Sequence, residues 1–98
     1  MAGIIWSRQG LKDFSDYLAH IASDSPQNAR QVATKIIEKI ELLIDFPKMG
    51  RVVPELSQEN IREIIVYNYR IVYRLKDIAT IEIITIHHSK KLLVVRGD

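Results

Sequence analysis

The first half of the chain shows apolar positions at helical spacing, preceded by a short apolar run. Residues 3–6 (Gly3-Ile4-Ile5-Trp6) predict a strand, and Ser7 after them is a candidate helix cap. An amphipathic helix of about four turns is then predicted by spacings of three and four between Leu11, Phe14, Leu18 and Ile21.

A second helix is predicted after the break at residues 23–26. Ser25 is a candidate cap, and Pro26 occupies the first helical position, where a missing N–H does no harm. Its apolar stripe consists of Ala29, Val32, Ala33, Ile36, Ile40 and Leu43. Because the connection is short, the two helices are expected to form an antiparallel hairpin.

In the second half the pattern changes to that of strands. Residues 46–50 end the helical region because Pro47 disfavours helix before it and Gly50 permits a turn. Residues 51–60 are expected to be an ordered connection. Three runs rich in Ile, Val and Tyr predict an antiparallel meander with turns at 67–69 and 76–79: residues 61–66, 70–75 and 80–86. The predicted fold class is α+β. The elements follow one another along the chain in the order β-α-α-β-β-β, and a helical hairpin packs on a mostly antiparallel sheet of three to four strands.

Side-chain alternation divides the three strands into two faces. The face expected under the helices carries Ile61, Glu63, Ile65, Tyr67, Ile71, Tyr73, Leu75, Ile81, Ile83, Thr85 and His87. The other carries Arg62, Ile64, Val66, Arg70, Val72, Arg74, Glu82, Ile84, Ile86 and His88. Arginine among branched apolar residues suits a surface that meets a protein or a phosphate backbone. The alternative is that the tail or residues 51–60 cover this face, and that its arginines form structural ion pairs.

Composition narrows the function classes. The chain has 98 residues, 11.3 kDa and no cysteine, which predicts a single domain over residues 1–98 and excludes disulfide scaffolds, thiol nucleophiles and Cys-ligated metals. No transmembrane run and no basic signal-peptide region are found, so neither a membrane nor a secretory location is expected. The formal net charge of +2 arises entirely in residues 50–98, so a polyanion-binding surface, if present, is expected there.

Isolated motifs for catalysis are weak. His87 and His88 are adjacent in a strand and point to opposite faces, so they form a poor chelate, and the four glycines are too scattered for a phosphate-binding loop. No metal and no cofactor are expected. His87 or His88 remains a candidate general acid or base beside the arginine-bearing face.

Three segments together resemble the ParE/RelE superfamily of toxins from type II toxin–antitoxin, or plasmid-stabilisation, modules. They are residues 46–56 (FPKMGRVVPEL), 62–74 (REIIVYNYRIVYR) and 81–92 (IEIITIHHSKKL). The opening Ile5-Trp6-Ser7 also fits, so the resemblance covers about residues 4–93. It implies a helical hairpin on an antiparallel sheet, and a cytoplasmic bacterial protein that arrests growth unless its antitoxin binds it.

The resemblance leaves three functions open. A ParE-like chain inhibits DNA gyrase, whereas a RelE-like chain is a metal-independent endoribonuclease that cleaves mRNA on the ribosome. The third alternative is a non-toxic binding module that keeps the fold. After Tyr73 the chain has no tyrosine, unlike many cleaving members. The stretch His88-Ser89-Lys90-Lys91-Leu92 is similar to the His-Gly-Arg-Arg-Leu stretch of ParE-like relatives. The ParE-like function is therefore preferred, and whether the chain is an enzyme stays open.

The resemblance also implies roles for particular residues. If the chain is an endoribonuclease, the catalytic candidates are Arg51, Arg62, Arg70 and His87. Contacts to the target or to RNA are assigned to Arg74, Lys90 and Lys91. Contacts to the antitoxin are assigned to Ile64, Val66, Val72, Ile84 and Ile86. Residues 92–98 are expected to be either flexible or an antitoxin-docking segment, and a toxin–antitoxin hetero-oligomer is expected.

Overall fold

The computed structural model describes residues 3–88. A helical hairpin packs on one face of a single sheet of five strands in the order β1-β5-β4-β3-β2. The elements are β1 (Gly3–Trp6), α1 (Arg8–Asp24), α2 (Pro26–Asp45), β2 (Arg51–Val52), β3 (Ile61–Val66), β4 (Tyr69–Asp77) and β5 (Thr80–His88). The predicted architecture is confirmed, and so is the antiparallel meander of β3, β4 and β5.

The helix starts follow from the caps read in the sequence. Ser7 Oγ accepts a hydrogen bond of 2.9 Å from the backbone N–H of Gly10, and Ser25 Oγ accepts one of 3.1 Å from Asn28. Each bond satisfies an N–H group that has no partner inside its helix. Pro26 lies at the start of α2, as expected.

The sheet differs from the prediction at both edges. β1 pairs in parallel with β5, so the sheet is mixed and has five strands rather than three to four. The expected connection 51–60 contains the two-residue strand β2, which pairs antiparallel with β3. β4 begins one residue earlier than predicted, so Tyr67 and Asn68 alone form the turn from β3.

The predicted face assignment is wrong for β3. A two-residue turn places Val66 opposite Tyr69, which exchanges odd and even positions between the two strands. Cross-strand partners share a face, so Arg62 lies with Tyr73 and Ile64 with Ile71, on the side of the helices.

A second change of parity occurs within β5. The register shifts between the pairs Val72–Thr85 and Tyr73–Ile83, leaving Ile84 as an extra residue. Beyond this irregularity Ile86 pairs with Ile71 and turns to the helix side, where the prediction had placed His87. The main core between helices and sheet consists of Ile36, Ile40, Leu43, Ile64, Val66, Ile71, Tyr73, Ile81, Ile83 and Ile86.

The opposite face, which we call the outer face, has a smaller core. Val53 and Leu56, from the segment after β2, pack against three strand residues there: Ile61, Val72 and Ile84. The outer face is therefore partly covered by the chain itself. This agrees with the alternative in which residues 51–60 fold over it.

Helix α1 covers the stretch of β5 that extends past the end of β1. Ser7 Oγ donates to the carbonyl of Ile84 at 2.7 Å, and the Asp13 carboxylate accepts from the N–H of Ile86 at 3.1 Å. Gly10 permits this close approach, because a Cβ there would lie 2.6 Å from the carbonyl oxygen of Ile83. These polar contacts satisfy backbone groups that an exposed strand edge would leave unpaired.

Candidate functional site

The outer face carries a carboxylate–arginine network formed by Arg51, Glu55, Glu63 and Arg70. The Glu63 side chain has no solvent exposure and lies between two arginines. Arg51 Nε donates to its Oε2 at 2.6 Å, and Arg70 Nε donates to its Oε1 at 2.8 Å. Register explains this arrangement, since Arg51 is the β2 partner of Glu63.

Arg70 also holds the segment after β2 through Glu55. Its two terminal nitrogens donate to the two Glu55 oxygens at 2.7 and 2.9 Å, a bidentate geometry. The hydrogen bond from Arg70 lowers the pKa of Glu55 to about 2, and the same bond is the main reason that the pKa of Arg70 is raised. Both groups therefore stay charged and paired at neutral pH, and they fasten the segment 53–57 to the sheet.

Arg62 lies apart from this network, on the helix side. Its Nη1 donates to the carbonyl of Gly50 at 2.9 Å and to that of Lys48 at 3.3 Å, while its other nitrogens bond the carbonyl and the carboxylate of Glu59. The guanidinium is thus used to organise the chain between α2 and β2. The structure does not bring the four catalytic candidates together into one site.

The remaining basic candidates are divided between described and undescribed parts of the chain. Arg74 pairs with Glu82 across β4 and β5. His87 is the β5 partner of Arg70 and therefore belongs to the outer face, whereas His88 stacks edge-on against Tyr69 on the helix side, with ring centres 5.4 Å apart. Lys90 and Lys91 lie outside the described residues.

Four of the five side chains assigned to antitoxin contact are buried in the two cores. The prediction that these four form an exposed surface is therefore wrong. Ile64, Val66 and Ile86 belong to the main core, because of the two parity changes in the sheet. Val72 is on the outer face as predicted, but the segment after β2 covers it completely. Ile84 is half-buried, and its contact with the antitoxin stays a prediction.

An open apolar groove, which the sequence analysis missed, lies at the end of the sheet where β4 turns into β5. Its volume is about 680 Å³. One wall is the segment that follows α2, and the other is the end of β4 with its turn. The lining residues are Phe46, Pro47, Lys48, Met49, Leu75, Asp77 and Ile78. An isoleucine in a polar turn was the sequence signal for this surface.

Neither the carboxylate–arginine network of the outer face nor the surroundings of Arg62 resemble a phosphate-transfer centre. The donors of Arg70 and Arg62 face carboxylates and backbone carbonyls, and carboxylates repel a phosphate at the same position. Within residues 3–88 no group of three or more potential ligands is arranged to hold a metal ion. The geometry fits structural ion pairs that close the outer face.

Comparison with protein families gives a match along almost the whole chain. The model of the ParE toxin of the type II toxin–antitoxin system parDE matches residues 4–93. The chain belongs to the ParE toxin family. It is therefore the toxin component of a type II system, and its partner is a cognate antitoxin.

A solved structure agrees with the fold of this ParE-family toxin. The chromosomal ParDE toxin–antitoxin system from P. aeruginosa matches with a TM-score of 0.72 and 20% sequence identity, over 90% of this chain and 96% of the other. At that identity the similarity supports the fold alone. No curated protein sequence matches the chain significantly. Neither helix of the described region combines the length and apolar character needed to cross a bilayer.

Proposed function

We propose that this ParE-family toxin arrests growth by binding and inhibiting DNA gyrase, without itself catalysing a reaction. The observation that carries the proposal is the family match over residues 4–93, which contains both helices and, except for Gly3, every described strand. Inhibition by binding requires an exposed surface rather than a preorganised set of free catalytic groups.

The engaged arginines add support. An endoribonuclease of the kind considered above would need fixed positive charge around a pentacoordinate phosphate. In this chain Arg70 is shared between Glu55 and Glu63, and Arg62 is directed into the backbone on the opposite side of the sheet. Freeing either side chain would break contacts that hold the region between α2 and β3.

The direct test is a supercoiling assay with purified gyrase, relaxed plasmid and ATP. Micromolar toxin is expected to reduce supercoiling, and toxin mixed beforehand with its antitoxin is expected to leave it unchanged. Full supercoiling in the presence of the free toxin would contradict the proposal. A matched translation extract, assayed for mRNA cleavage, covers the endoribonuclease alternative: cleavage lost in an Arg70→Ala/His87→Ala double variant that still folds would favour that function instead.

Lys90 and Lys91 are the proposed contacts to the target. Reversing both charges (Lys90→Glu/Lys91→Glu) is expected to weaken gyrase inhibition. The inhibition that remains is expected to depend less on the salt concentration. The matched control reverses two lysines of α2, Lys35 and Lys39, and is expected to behave as the unmodified toxin. Equal inhibition by both variants would refute the assignment of these two lysines.

A further inference from the structure

The turn from β3 to β4 has a backbone conformation that its sequence does not favour. Val66 pairs with Tyr69, so Tyr67 and Asn68 are the two central residues, and only the first has a positive φ, of 53°. The first central position of such a two-residue turn ordinarily carries glycine, because a side chain is strained there. A tyrosine at this position is a strain that the rest of the fold has to hold.

The described fold gains little from the Tyr67 side chain. It is 60% exposed, and among residues 3–88 its hydroxyl group has no hydrogen-bond partner and its ring no aromatic neighbour. Tyr73, by contrast, is completely buried and bonds two backbone groups. A strained residue that gives the fold nothing in return is typical of a site that acts on another molecule.

Ile65 extends this exposed surface along β3. Its side chain lies on the outer face, where Arg70 is its β4 partner, and is 51% exposed. β2 pairs with β3 only at Arg62 and Glu63, so no described strand flanks Ile65 on that side. We call Ile65 and Tyr67 the turn surface. An exposed tyrosine beside a large aliphatic side chain is the kind of pair that anchors protein interfaces.

The base of the turn is held in place by a neighbouring strand and a helix. Tyr69 packs edge-on against Tyr17 of α1 and against His88 of β5, with ring centres 5.1 and 5.4 Å apart. The Tyr17 hydroxyl also accepts a hydrogen bond of 3.2 Å from the N–H of His88. The turn surface is therefore presented on a fixed support, which lowers the entropic cost of binding.

The position of the turn surface indicates its partner. His88 pairs with Tyr69 directly beside the turn, and Lys90 follows His88 by two positions in the sequence. Two residues span at most about 7 Å, so the lysines proposed above as target contacts start from this end of the sheet. The apolar groove lies at the other end of the nine-residue strand β4, roughly 27 Å away. The turn surface thus continues the surface proposed for the target.

We propose that the turn surface is a contact to DNA gyrase, in which Tyr67 and Ile65 enter an apolar pocket of the enzyme while Lys90 and Lys91 meet carboxylates at its rim. This inference rests on the proposed function and names the apolar part of its binding surface. It also gives a reason for the strained tyrosine, since binding of the target offsets what the turn costs the free toxin.

The first test measures the affinity of purified gyrase holoenzyme for the full-length toxin, together with thermal unfolding of the toxin alone. Tyr67→Gly removes the ring and relieves the backbone, so it is expected to weaken binding about tenfold or more. Its midpoint of thermal unfolding is expected to stay the same or to rise. The matched variant Tyr67→Phe keeps the ring and is expected to bind within about threefold of the unmodified toxin. Unchanged affinity of Tyr67→Gly would overturn the proposal.

A second pair of variants tests the aliphatic part of the turn surface. Ile65→Thr keeps a β-branched side chain but loses apolar surface, and it is expected to weaken gyrase binding about threefold or more. The control is Ile5→Thr in β1, at the opposite edge of the sheet, whose side chain is 42% exposed; its affinity is expected to be unchanged. Equal affinities of these two variants would refute the role of Ile65.

Other occupants of the turn surface give different results with the same Tyr67→Gly sample. If antitoxin binding weakens as much as gyrase binding, the antitoxin covers the turn. If the unfolding temperature clearly falls, another part of the chain packs on the ring, and if a dimer becomes a monomer, the turn joins two copies. Each of these results overturns the proposal. Failure of the unmodified toxin to bind gyrase is a separate result, because it refutes the proposed target itself and this contact with it.

Discussion

Replacing Tyr73 by phenylalanine tests how the chain between α2 and β2 is held. The ring is completely buried in the main core, and phenylalanine keeps it in place. What is lost is the hydroxyl group, which accepts from the N–H of Gly50 and donates to the carbonyl of Pro47. Gly50 is buried, so no solvent replaces the lost acceptor.

The expected loss of stability follows from these two bonds. Leaving a buried polar group without a partner costs about 1–3 kcal/mol. The carbonyl of Pro47, a half-buried residue, regains part of its hydrogen bonding from water, so we expect a loss of about 2 kcal/mol in the free energy of unfolding. In a domain of this size that lowers the midpoint of thermal unfolding by roughly 8–16 °C.

Urea unfolding, followed by the fluorescence of Trp6 and by circular dichroism, measures this loss. Trp6 is the single tryptophan of the chain and contacts Phe14, with ring centres 5.1 Å apart, so its emission reports on the packing of α1. The control is Tyr67→Phe, whose side chain is 60% exposed in the turn from β3 to β4 and is expected to change stability by less than about 0.5 kcal/mol. If both variants lose equally little, the reasoning about Tyr73 is refuted.

Two further predictions concern charged and titrating groups. Glu63→Ala is expected to lower the free energy of unfolding by about 3 kcal/mol, because it leaves two arginines without their buried carboxylate. The control Glu59→Ala removes a carboxylate whose side chain is 76% exposed, and it should lose at most about 1 kcal/mol. Similar urea midpoints for the two variants would contradict this. Burial raises the pKa of Tyr73 and of Tyr69 above the ordinary value of 10, so both keep their protons when the unfolded chain begins to lose its own. Stability is therefore expected to be complete below about pH 10 and to fall as the pH rises through the folded pKa values, with a weaker fall in Tyr73→Phe. Glu55 has the opposite sign: its pKa is lowered from 4.5 to about 2, so its contribution is present above pH 4.5 and is lost as the pH falls toward 2. Unfolding curves measured across both pH ranges would contradict these assignments if stability rose in alkali or stayed constant in acid.

The helices were predictable because their signals are local. Ser7, Ser25 and Pro26 mark the helix starts within a few residues, and the apolar stripes have the right period. The pairing of β1 with β5 has no local signal, because it joins two segments that lie far apart in the sequence.

The faces of the sheet were harder, because each depends on a single residue of register. Tyr67 adopts a backbone φ of 53°, a conformation that favours glycine or asparagine. A tyrosine at this position therefore does not indicate a two-residue turn. Likewise nothing in the run from Ile81 to Ile86 indicates the extra residue at Ile84. These two shifts decide which arginines meet Glu63 and which apolar residues are buried, so the candidate site could not be read correctly from the alternation alone.

The position of β5 has a consequence for how the toxin is made. The first strand has its partner only in the last one described, and Ser7 and Ile84, which are hydrogen-bonded, are 77 positions apart. At about 5–20 residues per second, a ribosome needs roughly 4–15 s between these two points. During that interval β1 and α1 are already synthesised but lack the strand against which they pack. Growth arrest that depends on the finished sheet therefore begins only after β5 has been released, which gives an antitoxin molecule already present in the cell several seconds in which to meet the new chain.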